Sequence, residues 1–155
     1  MAETTADFND QSRQAVALHQ QGRLAEAERL YIEIIRKNPT IVGPRYMLGV
    51  LRMQQGRAAE AVELMAPSAK VNADDVATQM NFAMALRGAG RMSEALGHFQ
   101  RAATLRPDLA EAHYNAGVVE AELGRFEEAI QSYEKALVLT PDMAMARGNL
   151  GIALA

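Results

Sequence analysis

The sequence predicts an all-α solenoid of antiparallel helix pairs, and three observations point there. Gly22-Arg23, Gly56-Arg57, Gly90-Arg91 and Gly124-Arg125 recur at a constant interval of 34 residues, a period that marks repeat architectures. Glu-Ala returns four residues after each of those glycines, as Glu26-Ala27, Glu60-Ala61, Glu94-Ala95 and Glu128-Ala129. Apolar residues at helical spacing run up to each glycine and resume beyond it, so every period reads as two amphipathic helices joined by a tight turn.

The elements follow in order. First helices are expected near 8–21, 42–55, 76–89 and 110–123, second helices near 24–37, 58–71, 92–105 and 126–139, and a ninth helix near 144–154. Each hinge glycine sits where a helix end calls for a left-handed residue, which glycine adopts without a Cβ penalty. Small residues mark expected points of helix contact: Ala15, Gly49, Ala83, Gly117 and Gly151 on first helices, with Ala27, Ala61, Ala95 and Ala129 on second helices. Tyr31, Met65, Phe99 and Tyr133 share one second-helix register and are expected to fill the space between hairpins. Pro39, Pro107 and Pro141 stop three second helices, since proline lacks the N–H that another turn would use. Asp108 and Asp142 are expected to cap the helices that follow, Asp108 with Glu111 three residues on.

The repeats are thus placed at 8–41, 42–75, 76–109 and 110–143, after a flexible 1–7 and before an incomplete fifth repeat or capping helix at 144–155. The second repeat is atypical. It has Ala73 where the others have proline, and Pro67 inside its second helix is expected to kink or shorten that helix.

Composition narrows the function classes. Of 155 residues, 49% are apolar, enough for a continuous core. Sixteen basic against 19 acidic residues, with no Lys/Arg cluster, argue against nucleic acid. No uncharged apolar stretch is long enough to span a bilayer, and Met1 to Asp10 lack the pattern of a signal peptide, so a soluble, cytoplasmic protein is expected. Cysteine is absent, which excludes disulfides and thiolate metal sites. His19, His98 and His113 share no spacing that would put a ligand pair on one helical face, and Gly88-Ala89-Gly90 joins two helices with no Lys-Ser/Thr pair behind it. The expectation is a non-enzyme without metal or cofactor.

The residues quoted resemble the tetratricopeptide repeat, from about Phe8 onward. That resemblance implies a right-handed superhelix whose first helices line a concave groove, whose second helices form a convex back, and whose groove takes peptides. In its frame the first-helix residue nine before the hinge glycine faces the groove: Arg13, Met47, Asn81, Asn115 and, next in register, Asn149. An amide side chain offers both a donor and an acceptor, so stacked asparagines suit an extended backbone. Asn81, Asn115 and Asn149 resemble the asparagine ladder of O-linked N-acetylglucosamine transferase superhelices; the alternative is that they bond helix to helix. Tyr46, Met80, Tyr114, Val50, Met84 and Val118 complete the expected groove, with Met53 and Arg87 a turn further on, and Met84 could instead pack between helices. Clamps for acidic chaperone C-termini resemble one another in presenting successive cations. Here the corresponding positions, such as Ser12, Val16, Met47, Ala77 and Asn81, offer none.

Three functions compete. A stand-alone adaptor would bind extended protein segments in the groove. A substrate-recruiting region of a larger enzyme is the alternative, since the stretch from Ala17 to Tyr31 resembles repeats that precede bacterial glycosyltransferase or sulfotransferase domains. The third is self-assembly: the ninth helix, with Leu150, Gly151 and Leu154 in packing positions, leads to the expectation that the chain either is part of a longer protein or pairs with another copy.

Overall fold

A computed structural model of the protein describes residues 5–155. Those residues form nine α-helices and no strand. Two compact units divide at Val71/Asn72. The first holds α1 (Thr5–Gln20), α2 (Leu24–Lys37), α3 (Val42–Gln54) and α4 (Ala58–Val71). The second holds α5 (Val76–Gly88), α6 (Met92–Leu105), α7 (Ala110–Glu122), α8 (Phe126–Leu139) and α9 (Ala144–Ala153).

In each unit, sequence neighbours pack as hairpins: α1 on α2 and α3 on α4, then α5 on α6 and α7 on α8. Hairpins stack by their shared faces, α2 against α3, α6 against α7 and α8 against α9. The four hinges are one structure made four times. Gly22, Gly56, Gly90 and Gly124 have φ of 75, 74, 78 and 75°, and the N–H of the following arginine reaches back to the carbonyl of Leu18, Arg52, Leu86 or Glu120 at 2.8–2.9 Å. That six-to-one bond closes the first helix as the chain reverses. At the start of α2, α4 and α6, Arg23, Arg57 and Arg91 grip Glu26, Glu60 and Glu94 with two hydrogen bonds apiece at 2.6–2.7 Å.

The core follows the repeat register. Ala15, Ala27, Tyr31, Ile34, Leu48 and Leu51 form a buried cluster in the first unit, with Ala61 and Met65 also buried. Ala83, Leu86, Ala95, Phe99, Ala129 and Tyr133 are buried in the second. A Cβ added at Gly117 would lie 2.8 Å from the Tyr133 ring, so glycine is what leaves room for that ring in the fourth repeat.

Of the stretch 1–7, residues 1–4 lie outside the described region, and Thr5, Ala6 and Asp7 belong to the first turn of α1. Three expectations are corrected. Pro67 does not shorten α4, which spans 14 residues like α2, α6 and α8. Glu63, whose carbonyl the missing N–H would have bonded, is exposed, so the loss falls on the wet side of the helix. Asp108 and Asp142 are not caps: the N-cap residues are Leu109 and Met143, one position later and without side-chain cap bonds, and Asp108 faces Arg106 at 3.2 Å. The carboxylate that caps is Asp75, in register with those two residues, and it accepts the Thr78 N–H at 2.8 Å. Gly151 marks no contact, since a Cβ there would meet nothing within 4 Å; α9 has no second helix of its own among the described residues.

Candidate functional site

The residues expected to face a ligand all lie on first helices. In the first unit, Tyr46, Met47, Val50 and Met53 stand partly buried on α3. Arg13 on α1 is exposed and pairs with Asp10 at 2.8 Å. Between α1 and α3 lies a cleft of about 420 Å³ that includes Val16, Ala17, Pro44, Tyr46 and Met47, with Tyr31 of α2 at its wall.

The second unit carries the asparagines, and the three are not equivalent. Asn81 on α5 is exposed and lines a cleft of about 560 Å³ together with Met80, Val76, Ala77, Leu109 and Glu111. Asn115 on α7 is only 8% exposed, and its amide donates to the Glu111 carbonyl of its own helix at 2.9 Å. Asn149 on α9 donates to the Tyr114 hydroxyl of α7 at 3.4 Å and, with Val118, lines a smaller cleft of about 210 Å³. Met84 is 42% exposed, so it stands on the surface of α5.

Arg87 is engaged. Its Nε donates to Glu122 of α7 at 2.9 Å and its Nη2 makes a second short bond to the same carboxylate. The Glu122 hydrogen bond raises the guanidinium's pKa and fixes its charge. Tyr114 and Tyr133 lie with ring centroids 6.0 Å apart. Burial pushes the Tyr133 phenol's pKa up.

Three side-chain hydrogen bonds join consecutive first helices at one common offset of 35 residues: His19 to Gln54, Arg87 to Glu122 and Tyr114 to Asn149. One repeat plus one residue is thus the spacing at which these helices talk to each other. The histidines are accounted for by such bonds. His98 pairs with Gln79 at 2.6 Å and sets its ring edge-on to Phe82, and His113 meets the Pro107 carbonyl at 3.0 Å. Among the described residues no group of three or more His, Cys, Asp or Glu could hold a metal, and no helix is long and apolar enough to cross a membrane.

Sequence reasoning did not pick out the buried charges. Arg52 and Glu120 occupy a register where Leu18 and Leu86 stand in the other repeats. Arg52 reaches Glu28 at 2.7 Å, and Glu120 accepts the Ser132 hydroxyl at 2.6 Å. A charged residue in an otherwise leucine register was the available signal.

Comparison with known proteins agrees with this architecture. Models of the tetratricopeptide repeat match residues 18–80, 80–144 and 114–155. No curated protein matches. Among solved structures, one described as the crystal structure of MamA protein is 25% identical, covers 99% of this chain and 82% of its own, and superposes with a TM-score of 0.84. Another, described as the crystal structure of MamA, is 22% identical over 99% of this chain and 84% of its own, with a TM-score of 0.81. MamA from residue 41 to its end, from Desulfovibrio magneticus RS-1, is 15% identical over 90% and 79%, with a TM-score of 0.80. These likenesses show a solenoid of the kind on which protein-interaction scaffolds are built. With its repeats matched from residue 18 to its last residue, the chain belongs to the tetratricopeptide-repeat family.

Proposed function

We propose that the chain is a cytoplasmic adaptor that holds extended polypeptide segments along the face of its first helices. The observation that carries this reading is the cleft beside α5, where exposed Asn81 stands next to Met80 and opposite Leu109 at the start of α7. An exposed carboxamide can meet both the N–H and the C=O of an extended backbone, while unbranched methionine adapts to different side chains. Within the second unit Asn115 and Asn149 extend the polar row and Met84, Tyr114 and Val118 supply apolar contact around it; the first unit offers Tyr46 and Val50 on its own first-helix face. Arg87, held by Glu122, acts as half of an ion pair, so an incoming carboxylate has to compete for it.

The test is affinity capture from native extract with this chain beside an Asn81→Ala/Asn115→Ala/Asn149→Ala variant, both checked for folding by circular dichroism. Proteins held by the parent and lost from the folded variant support the groove. An unchanged captured set removes the asparagines from the binding surface.

Self-assembly is a second reading, favoured by the apolar side chains that α9 exposes: Met145, Ile152 and Leu154. A mass that rises with concentration in light scattering supports it, and a monomer mass at every concentration removes it.

A further inference from the structure

Glu120 is 5% exposed, yet its carboxylate meets only neutral donors, the Ser132 hydroxyl at 2.6 Å and, more loosely, the Gln100 amide at 3.4 Å. Arg52, the charged residue at the same register of the first unit, has the Glu28 carboxylate on it at 2.7 Å. Buried charges are stable where a counter-charge answers them, and among the described residues Glu120 has no ion-pair partner. Glu128 is a parallel case. In the first three repeats the hinge arginine holds the glutamate at this register at 2.6–2.7 Å, whereas Arg125 and Glu128 form no such pair among the described residues.

The two carboxylates line one cleft of about 300 Å³, walled by α6, α7 and α8. A second cleft of about 480 Å³ continues from it, since His113, Gln131 and Lys135 line both. The second cleft ends on apolar side chains, Val138 at 81% exposure and Leu139 at 40%. Arg36, Lys70 and Thr104 stand at the Val138 register in the other repeats, so this apolar end belongs to the fourth repeat. Glu120, Glu128 and Glu134 set three carboxylates against the single ammonium of Lys135, and the joined clefts favour a cation.

We propose that the joined clefts dock an extended segment of a partner protein, with an arginine at the Glu120 and Glu128 end and an aliphatic side chain four residues away on Val138. A carboxylate has about four acceptor sites, and Ser132 and Gln100 leave part of the Glu120 set open. The planar guanidinium, with its five donors, reaches both carboxylates from one side chain, which the compact lysine ammonium does less well. Along α8 the step from Glu128 to Val138 is about 15 Å, and four residues of extended chain plus the reach of arginine span it. Four residues is also an even number, so both side chains leave the same face of the segment. This surface lies apart from the first-helix face and does not depend on what that face binds.

The experiment titrates the isotope-labelled full chain with acetyl-Ala-Arg-Ser-Ala-Ser-Leu-Ala-amide and with the same peptide in reversed order, and maps the backbone amide resonances that move. Control peptides carry citrulline in place of arginine, which keeps the length and removes the charge. In one of the two directions the arginine peptide is expected to move α8 and the end of α7, and to bind about tenfold more tightly than its citrulline counterpart, the ratio of one charge-assisted hydrogen bond. Glu128→Gln, at an exposed position, removes most of that ratio. Val138→Thr, which installs the residue found at Thr104, weakens the arginine and citrulline peptides alike. Equal affinities for the two peptides, a ratio that survives Glu128→Gln, or shifts confined to Asn81, Asn115, Asn149 and their neighbours each overturns the proposal. Movement of the α8 resonances on raising the chain's own concentration, with no peptide present, assigns the clefts to a second copy and overturns it too.

Discussion

The Arg52 guanidinium is buried with its Nη1 2.7 Å from a Glu28 carboxylate oxygen, so α3 is tied to α2 by a charge pair inside the packed face of the first unit. Its Nε lies 3.4 Å from Glu60 without hydrogen-bond geometry, which leaves Glu28 as the main counter-charge. Removing one member of a buried pair strands the other, whereas an apolar replacement of similar size strands nothing on that side. Glu28→Ala is expected to cost about 2 kcal/mol, below the usual toll for a fully buried pair because Glu28 is 24% exposed. Arg52→Leu, which installs the residue found at Leu18 and Leu86, is expected to stay within about 1 kcal/mol of the parent. Urea unfolding distinguishes the two.

Asp75 is the N-cap that bonds both the Thr78 N–H at 2.8 Å and the Thr78 hydroxyl at 2.6 Å. Asp75→Ala should lower stability by about 1 kcal/mol, while Asp108→Ala, at a carboxylate that caps nothing, should be nearly silent. The Thr78 hydrogen bonds hold the Asp75 carboxyl below its ordinary 3.8. Its contribution is therefore present above that value and is lost as pH falls through the depressed one. Acid unfolding of the parent and Asp75→Ala should converge at low pH.

Gly117→Ala and Gly151→Ala should move stability in opposite directions. At Gly117 the new methyl meets the Tyr133 ring at 2.8 and 2.9 Å and the Ser132 Cβ at 3.1 Å, none of which is the end of a flexible chain. A loss of about 2 kcal/mol is expected from that overpacking. At Gly151 nothing stands within 4 Å, so alanine's better helix propensity gives a gain of up to about 1 kcal/mol. Thermal melts followed at 222 nm read both.

His98 gives the fold an acid-sensitive point. Burial pushes its pKa below the ordinary 6.5, with Glu94 opposing and Arg101 reinforcing the shift. The neutral ring is the native form, so its contribution is complete above 6.5 and is lost as pH falls through the folded value. Between pH 8 and 5 the parent should lose more melting temperature than His98→Leu, a variant that installs the residue found at Leu30 and Leu64.

The repeat made most of the fold legible. All four second helices end where periodicity places them, and first helices α3, α5 and α7 stop one residue short of expectation. Periodicity reports which face of a helix is apolar, and that is a local property. It does not report which side chain answers which across two helices. Glu122 for Arg87 and Tyr114 for Asn149 became visible only with the 35-residue offset, because a one-residue shift between neighbouring helices depends on how they pack. The cap was misplaced for a related reason: Pro107-Asp108 and Pro141-Asp142 look like helix starts, but each turn runs one residue further before the helix begins. The asparagines were legible as a row, not as three different environments. Burial of Asn115 and exposure of Asn81 follow from what lies beside each helix, which a single register cannot encode.

The four hinges share one φ and one closing bond. A copying error that drops or adds thirty-four codons therefore cuts between equivalent points and rejoins helix to helix in phase. An in-frame loss of one or two residues inside a helix turns the rest of that helix by about 100° per residue and takes its apolar face off its neighbour. Inheritance acting on such a gene has a preferred quantum of change, and lengthening the array by whole units is its path of least resistance.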